Sequence, residues 1–287
     1  MSFLADPINP ATPERPRLGL IASAQGPEPG ELLTLGEHWP LGVHFRTELC
    51  SGSVGAFRLC DEGTQSVHKG TGTRSTIVEE EPIGIYAVET ASTAGNLPWE
   101  EHVARALRKL DLWESWILER EFWLGGAGTS NFKLAAAGGV TIIPAPAGLK
   151  VHEGIAVMDK ALGDCLHGVR GMIHVTRLVA DLAMNNAGAY RSGNLLLTHA
   201  ADTVIVPGSG YPGTGPAGED ESLLGNEWIY GTAMAKVLRG PPTTIPEAPA
   251  GAVLRTTDDL TVVAEKPAVV IVDPCCLLAI KVGLPPY

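Results

Sequence analysis

Three glycines have the spacing of a dinucleotide-binding fingerprint. Gly208, Gly210 and Gly213 form the pattern GxGxxG directly after an apolar run that ends at Val206. Such a fingerprint holds a pyrophosphate only where the third glycine enters a helix, because the helix N-terminus supplies the N–H donors. Prolines and further glycines continue to Gly218, so no helix can begin there. We therefore expect a flexible loop at Gly208–Gly218 and no bound cofactor.

The thiols and imidazoles are not arranged as a metal site or as a nucleophile–base pair. Cys165 and His167 stand two residues apart in a predicted helix, where their side chains point in different directions. His174 lies in an apolar stretch and is expected to be a core histidine with satisfied hydrogen bonds. Because no GxSxG, HExxH, Walker or EF-hand motif occurs either, we expect no catalytic residue and no metal ligand.

The five cysteines show no CxxC spacing. Their odd number in a chain of 287 residues indicates reduced thiols of a cytoplasmic protein. We expect the adjacent pair near the end of the chain to be buried thiols. The cysteines are Cys50, Cys60, Cys165, Cys275 and Cys276.

Composition and charge bound the class of protein. The net charge of −11 offers no basic surface for tight binding to nucleic acid, although an acidic wall suits a container through which DNA must slide. With 34 glycines and 22 prolines, the chain favours a loop-rich α+β architecture. Residues 1–17 lack the pattern of a secretory signal, and no apolar run approaches the roughly 20 residues of a membrane-spanning helix.

The first 72 residues combine many prolines with apolar groups such as Trp39, Phe45 and Phe57. A segment of this kind cannot form its own core, so we expect an extended arm that is ordered by contacts with other subunits. Next, Thr73–Val78 and Ile83–Thr90 predict a β-hairpin with an exposed acidic tip at 79–82, and we expect this hairpin to bind an adjacent subunit.

Residues 98–123 carry the strongest helix signal. Pro98 suits a first turn, two glutamates follow it, and glycines at 125 and 126 end the pattern. Apolar residues recur at steps of three and four, so we expect one stripe to face the core and the tryptophans to pack there, not to form a platform for bases or sugars. The predicted stripe is Trp99, Val103, Leu107, Leu110, Trp113 and Ile117.

The rest of the chain predicts short strands around two further helices, without regular βαβ alternation and without an internal repeat. Thr176 is a candidate N-cap and Gly188 a stop signal for the second of these helices. The predicted helices are Val151–His167 and 177–186; the predicted strands are Val140–Ile143, Met172–Val175, Leu195–Thr198, Asp202–Val206, Trp228–Ala235, Asp259–Glu265, Ala268–Asp273 and Leu277–Val282.

The order of arm, hairpin, long helix, α/β module and closing strands resembles the major capsid protein of tailed bacteriophages, which has the Hong Kong 97-type fold. Four strings resemble coat proteins of actinobacterial phages, namely 83–95, 171–182, 204–218 and 270–282. The resemblance implies an N-terminal arm at 1–67, an E-loop hairpin at 68–97, a spine helix and P-domain at 98–150, an A-domain at 151–240 and C-terminal P-domain strands at 241–287.

The resemblance also implies a function. The chain would be a structural protein, not an enzyme, that assembles in the host cytoplasm with copies of itself, as hexamers and pentamers, into the icosahedral head of a virion. Scaffolding, portal and decoration proteins would be further partners, packaged double-stranded DNA would be contacted non-specifically, and no membrane would be involved. The Gly208–Gly218 loop would lie near a symmetry axis, and Lys69 has the place of a crosslinking lysine without an assignable partner.

Two alternatives stay open at this point. An encapsulin-like compartment shell would share the fold and would enclose a cargo enzyme. A soluble enzyme that uses the Gly208–Gly218 loop belongs to a different class and would be a monomer or a small oligomer.

Overall fold

The computed structural model describes residues 13–26, 41–47, 49, 74–92, 98–136, 139–146, 148–217, 225–248, 251–254 and 259–285. Within these ranges the chain forms an α+β fold with fourteen strands in three sheets and four helices. The helices are α1 (Leu20–Ser23), α2 (Trp99–Leu124), α3 (Val151–Cys165) and α4 (Arg177–Asn185). The strands are β1 (Val43–Arg46), β2 (Ile77–Glu80), β3 (Ile83–Ser92), β4 (Thr141–Ile142), β5 (Gly171–Thr176), β6 (Ala189–Ser192), β7 (Leu195–Thr198), β8 (Val204–Gly208), β9 (Asn226–Ala233), β10 (Lys236–Arg239), β11 (Thr243–Ile245), β12 (Val253–Leu254), β13 (Asp259–Ile271) and β14 (Leu277–Gly283).

Helix α2 forms where the capping residues predicted it. Pro98 precedes it with an extended backbone, and Glu100 and Glu101 lie in the first turn, where the helix dipole favours negative charge. The helix ends at Gly125, whose φ of 69° is in the left-handed region and whose N–H donates to the carbonyl of Glu121. Its 26 residues make a rod of about 39 Å.

Most of the predicted stripe of α2 faces the core. Leu110 is buried and Trp99, Val103, Leu107 and Ile117 are partly buried against the core, as expected. Trp113 is 54% exposed and Trp116 is 46% exposed, so the expectation of core packing is wrong for these two tryptophans, whereas it is confirmed for the fully buried Trp123. The buried side also includes a histidine and two glutamates, which a pattern based on apolar residues leaves out. The buried residues of α2 are His102, Ala106, Leu110, Glu114, Leu118, Glu119, Phe122 and Trp123.

Strand β13 is the centre of a five-stranded sheet that packs against α2. Strands β10, β11 and β12 pair with one edge of β13, and β3 pairs antiparallel with the other over ten residues. Alternate residues of β3 (Ile83, Ile85 and Ala87) point into the core. Two strands were predicted at 259–265 and 268–273. The structure has one strand of thirteen residues instead, which continues through Pro267.

The predicted hairpin of 73–78 with 83–90 does not form. Strand β2 pairs with β1, Val78 lying opposite Phe45, while β3 joins the five-stranded sheet and buries one face in its own chain. The two-residue connection between β2 and β3 contains Pro82, whereas tight hairpin turns require glycine or asparagine with positive φ. Pro82 therefore separates two strands that belong to different sheets.

A seven-stranded sheet has the order β4-β14-β9-β5-β8-β7-β6. Strands β5 and β8 are parallel and fully buried, and α3 and α4 connect and cover the strands around them. The hydroxyl oxygen of Thr176 accepts the N–H of Val179 and caps α4, as predicted. Strand β14 lies in this sheet, whereas β10 lies in the five-stranded sheet.

Part of the expected arm docks on the chain itself. Leu20 in α1 is fully buried, and the backbone of Gln25 exchanges hydrogen bonds with Ala235 and Val237 at 2.9 and 3.1 Å. The expectation that the arm is ordered only by other subunits is therefore wrong for residues 13–26, because proline spacing does not reveal a single apolar anchor. Within the predicted arm of residues 1–67, the segments 1–12, 27–40, 48 and 50–67 lie outside the described residues.

Two cysteines that are 111 residues apart form a disulfide. Cys165 ends α3, Cys276 precedes β14, and their Cα atoms are 6.0 Å apart. The expectation of reduced thiols is wrong for this pair, since the count and spacing of cysteines carry no information about which elements the fold brings together.

The orientation of α2 predicts a contrast between two of its residues. Leu110→Ala removes a side chain that is 1% exposed and should lower the free energy of unfolding by about 2–5 kcal/mol. Trp113→Ala changes a half-exposed side chain and should lower it by only about 0.5 kcal/mol. Urea denaturation of the unassembled chain, followed by circular dichroism, measures both; equal losses would mean that the helix presents a different face to the core.

Candidate functional site

The glycine-rich segment after β8 is a buried joint between the two large sheets. Gly210, Tyr211 and Gly213 are buried, and the segment runs along the C-terminal half of α2. The backbone N–H of Trp228 in β9 donates to the carbonyl oxygen of Gly213 at 2.9 Å. The expectation of a flexible loop is therefore wrong for residues 208–217, while 218 lies outside the described residues. After Gly213 the described chain continues without a helix to Ala217, so the dinucleotide geometry is not formed.

Gly210 is required by a close approach to α2. A Cβ atom at this position would lie 2.2 Å from the carbonyl oxygen of Trp116 and 2.9 Å from the backbone nitrogen of Arg120. No side chain fits there without moving the backbone of one element or the other. The glycine that resembled part of a phosphate cradle therefore serves the contact of two backbone segments.

Glu119 gathers three separate segments at this joint. Its Oε2 accepts the N–H of Gly210 at 2.9 Å, and its Oε1 accepts the N–H of Leu20 at 3.0 Å and the hydroxyl of Ser115 at 2.9 Å. Gly19 has a φ of 137° and approaches so closely that a Cβ atom would lie 2.5 Å from Oε1. The carboxylate thus ties the N-terminal segment and the glycine segment to α2.

Burial raises the pKa of Glu119, and the backbone N–H groups of Gly210 and Leu20 oppose that rise. The side chain is only 1% exposed, so burial disfavours its charged form and these N–H donors favour it. Sequence reasoning missed Glu119 because a glutamate on a helix resembles a solvated residue. No pattern within α2 distinguishes Glu119 from an exposed glutamate. Its burial depends on Leu20 and Gly210, two residues that are distant in sequence and that only the fold brings next to it.

An aromatic cluster joins the end of α2 to the seven-stranded sheet. The ring of Trp123 packs against Tyr211 at 4.9 Å and edge-on to Tyr230 at 4.7 Å between ring centroids. Its Nε1–H reaches the carbonyl and hydroxyl oxygens of Thr214, both at 3.2 Å. Aromatic pairs of this geometry add stability beyond the area that they bury.

His174 belongs to the same core. Its two ring nitrogens form hydrogen bonds with the hydroxyls of Tyr211 at 3.0 Å and Thr232 at 2.9 Å. Burial lowers the pKa of His174 from 6.5 to about 3, so the ring is neutral. The prediction of a satisfied core histidine is confirmed.

A buried ion-pair group holds α2 to the five-stranded sheet. The Oε2 atom of Glu114 lies 2.5 Å from the Nζ of Lys266 in β13 and 3.3 Å from a guanidinium nitrogen of Arg239 in β10. Glu114 is 2% exposed, so removing either cation would leave a poorly compensated buried charge. The two cations explain why Glu114 can lie at the centre of the buried side of α2.

The expectation of a solvated acidic tip is wrong for Glu80, although Glu79 and Glu81 on either side of it are exposed. Glu80 is 2% exposed, and its carboxylate accepts the backbone N–H of Phe132 at 3.3 Å. Burial raises the pKa of Glu80 from 4.5 to about 7, and the hydrogen bond from Phe132 opposes part of that rise. The neighbouring Glu81 N–H donates to Asn131, so this segment is held by the chain that follows α2.

Two exposed surfaces carry large apolar side chains. The first, here called the helix face, comprises Trp113, Trp116 and Arg120 on α2, with the guanidinium of Arg120 over the ring of Trp116 at 5.7 Å. The second, here called the sheet face, comprises Tyr86, Val88 and Ile245 on the side of the five-stranded sheet away from α2.

The sheet face is continuous across three strands. Val88 and Ile245 both lie opposite Val263 of β13, so the three side chains form one cross-strand row. Tyr86 is 64% exposed and Ile245 is 51% exposed. Clustered exposed apolar groups on a folded chain mark places where another surface binds.

The described ranges contain no group of three or more His, Cys, Asp or Glu side chains that could hold a metal ion. Among the same residues, no helix combines the length and the apolar character needed to cross a membrane. Cys165 is in the disulfide, and His167 follows α3 with a φ of 53°, so the structure does not bring these two residues together as a nucleophile and base. Lys69 lies outside the described residues.

Comparison with solved structures identifies the fold. The chain is similar to the capsid of an empty GTA particle computed with C5 symmetry, with a TM-score of 0.58 and 12% identity over 98% of this chain and 96% of that one. It is similar to a structure from Gordonia phage Cozz, with a TM-score of 0.53 and 10% identity over 99% and 92% of the two chains. No protein-family model matches the sequence, and a search of curated proteins found no similar one.

A third similarity is to the holo-SrpI encapsulin complex from Synechococcus elongatus, with a TM-score of 0.50 and 10% identity over 74% of this chain and 80% of that one. The fold of this chain is therefore the Hong Kong 97-type capsid fold, and the fold class predicted from the sequence is confirmed.

The close contact at Gly210 predicts that Gly210→Ala lowers the free energy of unfolding by about 1–3 kcal/mol, because the added methyl overlaps the backbone of α2. Gly163→Ala is the matched control, since a Cβ atom at Gly163 in α3 meets nothing within 4 Å. That control should raise stability by up to about 1 kcal/mol. Thermal and urea unfolding measure both, and a neutral Gly210→Ala would contradict the packing of this segment.

The raised pKa of Glu80 predicts a pH dependence. The folded chain binds this proton more tightly than the unfolded chain, so the contribution of Glu80 to stability is complete below pH 4.5 and is lost as the pH rises through about 7. Between pH 5 and pH 8 the wild type should lose about 2 kcal/mol more than Glu80→Gln. Urea denaturation at the two pH values checks this, with Glu79→Gln, an exposed neighbour, as the control; parallel losses in wild type and Glu80→Gln would refute it.

Proposed function

We propose that this chain is a structural major capsid protein that assembles with copies of itself into the icosahedral head of a tailed phage, around double-stranded DNA. The observation that carries the proposal is the similarity to a particle capsid over 98% of this chain and 96% of that chain, so the likeness covers a complete shell subunit and not one shared module. The actinobacterial phage structure at 99% and 92% coverage supports the same assignment.

The geometry suits a wall subunit. The joint at Glu119 and the aromatic cluster around Trp123 fix the two large sheets on one long helix, so a contact at one end of the subunit constrains the other. The helix face and the sheet face both offer exposed apolar side chains to a neighbouring copy. A net charge of −11 keeps the wall from adhering to the packaged DNA.

The division into domains follows from the proposed function. Residues 1–67 would be the N-terminal arm, 68–97 the E-loop region, 98–150 the spine helix and P-domain, 151–240 the A-domain and 241–287 the C-terminal P-domain strands.

The proposed partners are other copies in pentamers and hexamers, with scaffolding, portal and decoration proteins. The proposed location is the virion after assembly in the host cytoplasm. We assign no catalytic, cofactor or metal site.

An encapsulin-like compartment shell is the second candidate, because the similarity to the Synechococcus elongatus encapsulin complex favours the same kind of wall. That similarity covers 74% of this chain, against 98% for the particle capsid. The full-length coverage supports the phage head as the better reading.

The proposal predicts that the purified chain sediments as capsomers or as megadalton shells. Sedimentation velocity with negative-stain electron microscopy measures this directly. A chain that remains monomeric, or that forms only a small oligomer at every concentration and salt tested, would contradict the proposal and favour a soluble enzyme. Co-expression with phage terminase and portal, followed by nuclease protection of DNA, separates a phage head from a cargo compartment.

A further inference from the structure

A groove lies between the docked N-terminal segment and the seven-stranded sheet. Its apolar lining includes Pro16 and Leu18 of the N-terminal segment, Ala180 and Met184 of α4, and Leu196 of β7. Its volume is about 260 Å³, below the roughly 300–1,000 Å³ of sites that enclose a small molecule. The groove therefore has room for one or two apolar side chains and not for a whole cofactor.

The rim of the groove is cationic on an acidic protein. Arg17, Arg177 and Arg191 also line the groove, and Asp181 is the one acidic side chain among the described residues that line it. Among the described residues Arg177 has no ion-pair partner, and Arg191 donates only to the carbonyl of Gly193. Arg17 contacts Glu14 at 3.2 Å in a pair whose side chains are both more than 70% exposed, which holds it weakly.

This combination selects a partner by its chemistry. Arginines around an apolar depression favour a peptide that inserts a large apolar side chain and places carboxylates on both sides of it. A DNA phosphate backbone would pair with the arginines but would leave the apolar lining of the groove exposed to water.

The groove exists only while the N-terminal segment is docked. Pro16 and Leu18 belong to that segment, which is held in place by Leu20 and by the hydrogen bond from its N–H to Glu119. We propose that this groove, lined by Leu18, Ala180 and Met184 and rimmed by Arg17, Arg177 and Arg191, is a docking site for an acidic, apolar segment of a separate protein. Binding of the partner would therefore depend on whether the N-terminal segment is docked.

The experiment is selection of a displayed library of random dodecapeptides against the purified full-length chain. Enriched peptides should carry net negative charge around at least one large apolar residue. Synthetic copies of them should bind, by fluorescence anisotropy, at least about tenfold more weakly to Arg177→Glu/Arg191→Glu than to the wild type, and more weakly as salt rises. The matched control is Arg46→Glu/Arg74→Glu, which makes the same change in charge outside the groove and should bind like the wild type.

Leu20→Ala supplies an independent arm of the test, because it weakens docking of the segment that forms one wall and should reduce peptide affinity without touching the rim. Circular dichroism confirms that each variant is folded. Enrichment without an acidic bias, or equal binding to the two charge-reversal variants, would overturn the proposal. So would a result in which Arg177→Glu/Arg191→Glu changes the self-association of the chain and not peptide binding, since the occupant would then be a second copy.

Discussion

The carboxylate of Glu119 satisfies N–H groups from two segments that are distant in sequence. It lies within α2, accepts from Leu20 on one side and from Gly210 on the other, and is sealed from water by both. A buried carboxylate without these donors would be costly, and the donors without the carboxylate would be unsatisfied. The N-terminal segment, the long helix and the joint to the seven-stranded sheet therefore have to form together, and the groove beside Leu18 depends on the same contact.

The elements with local signals could be predicted from the sequence. The helices at 98–123, 151–167 and 177–186 carry caps, stop residues and amphipathic spacing within one segment, and the structure places each within about two residues. Strand pairing could not be predicted in the same way, because Ile83, Ile85 and Ala87 alternate as well for a hairpin as for a place beside β13. Pro82 was the local signal against a tight hairpin.

The buried glutamates of α2 and the role of the glycines were missed for a common reason. Burial of Glu114 and Glu119 depends on Lys266, Gly210 and Leu20, which are remote in sequence, so a pattern based on apolar residues includes the exposed Trp113 and leaves out these two glutamates. Gly210 looked flexible because glycine is common in loops. In the fold it is required because two backbones touch, so the segment that contains it is closely packed and not an open loop.

A subunit built in this way is a single body with apolar surface on two sides, and the proposed shell follows from the Hong Kong 97-type fold together with those surfaces. The most direct measurement is a cryo-electron microscopy reconstruction of particles that form from the purified chain. The account predicts closed icosahedral shells of pentamers and hexamers, with residues 13–26 on α2 and the helix face or the sheet face covered by a neighbouring copy. Particles without this symmetry, or shells in which both faces remain exposed to solvent, would contradict it.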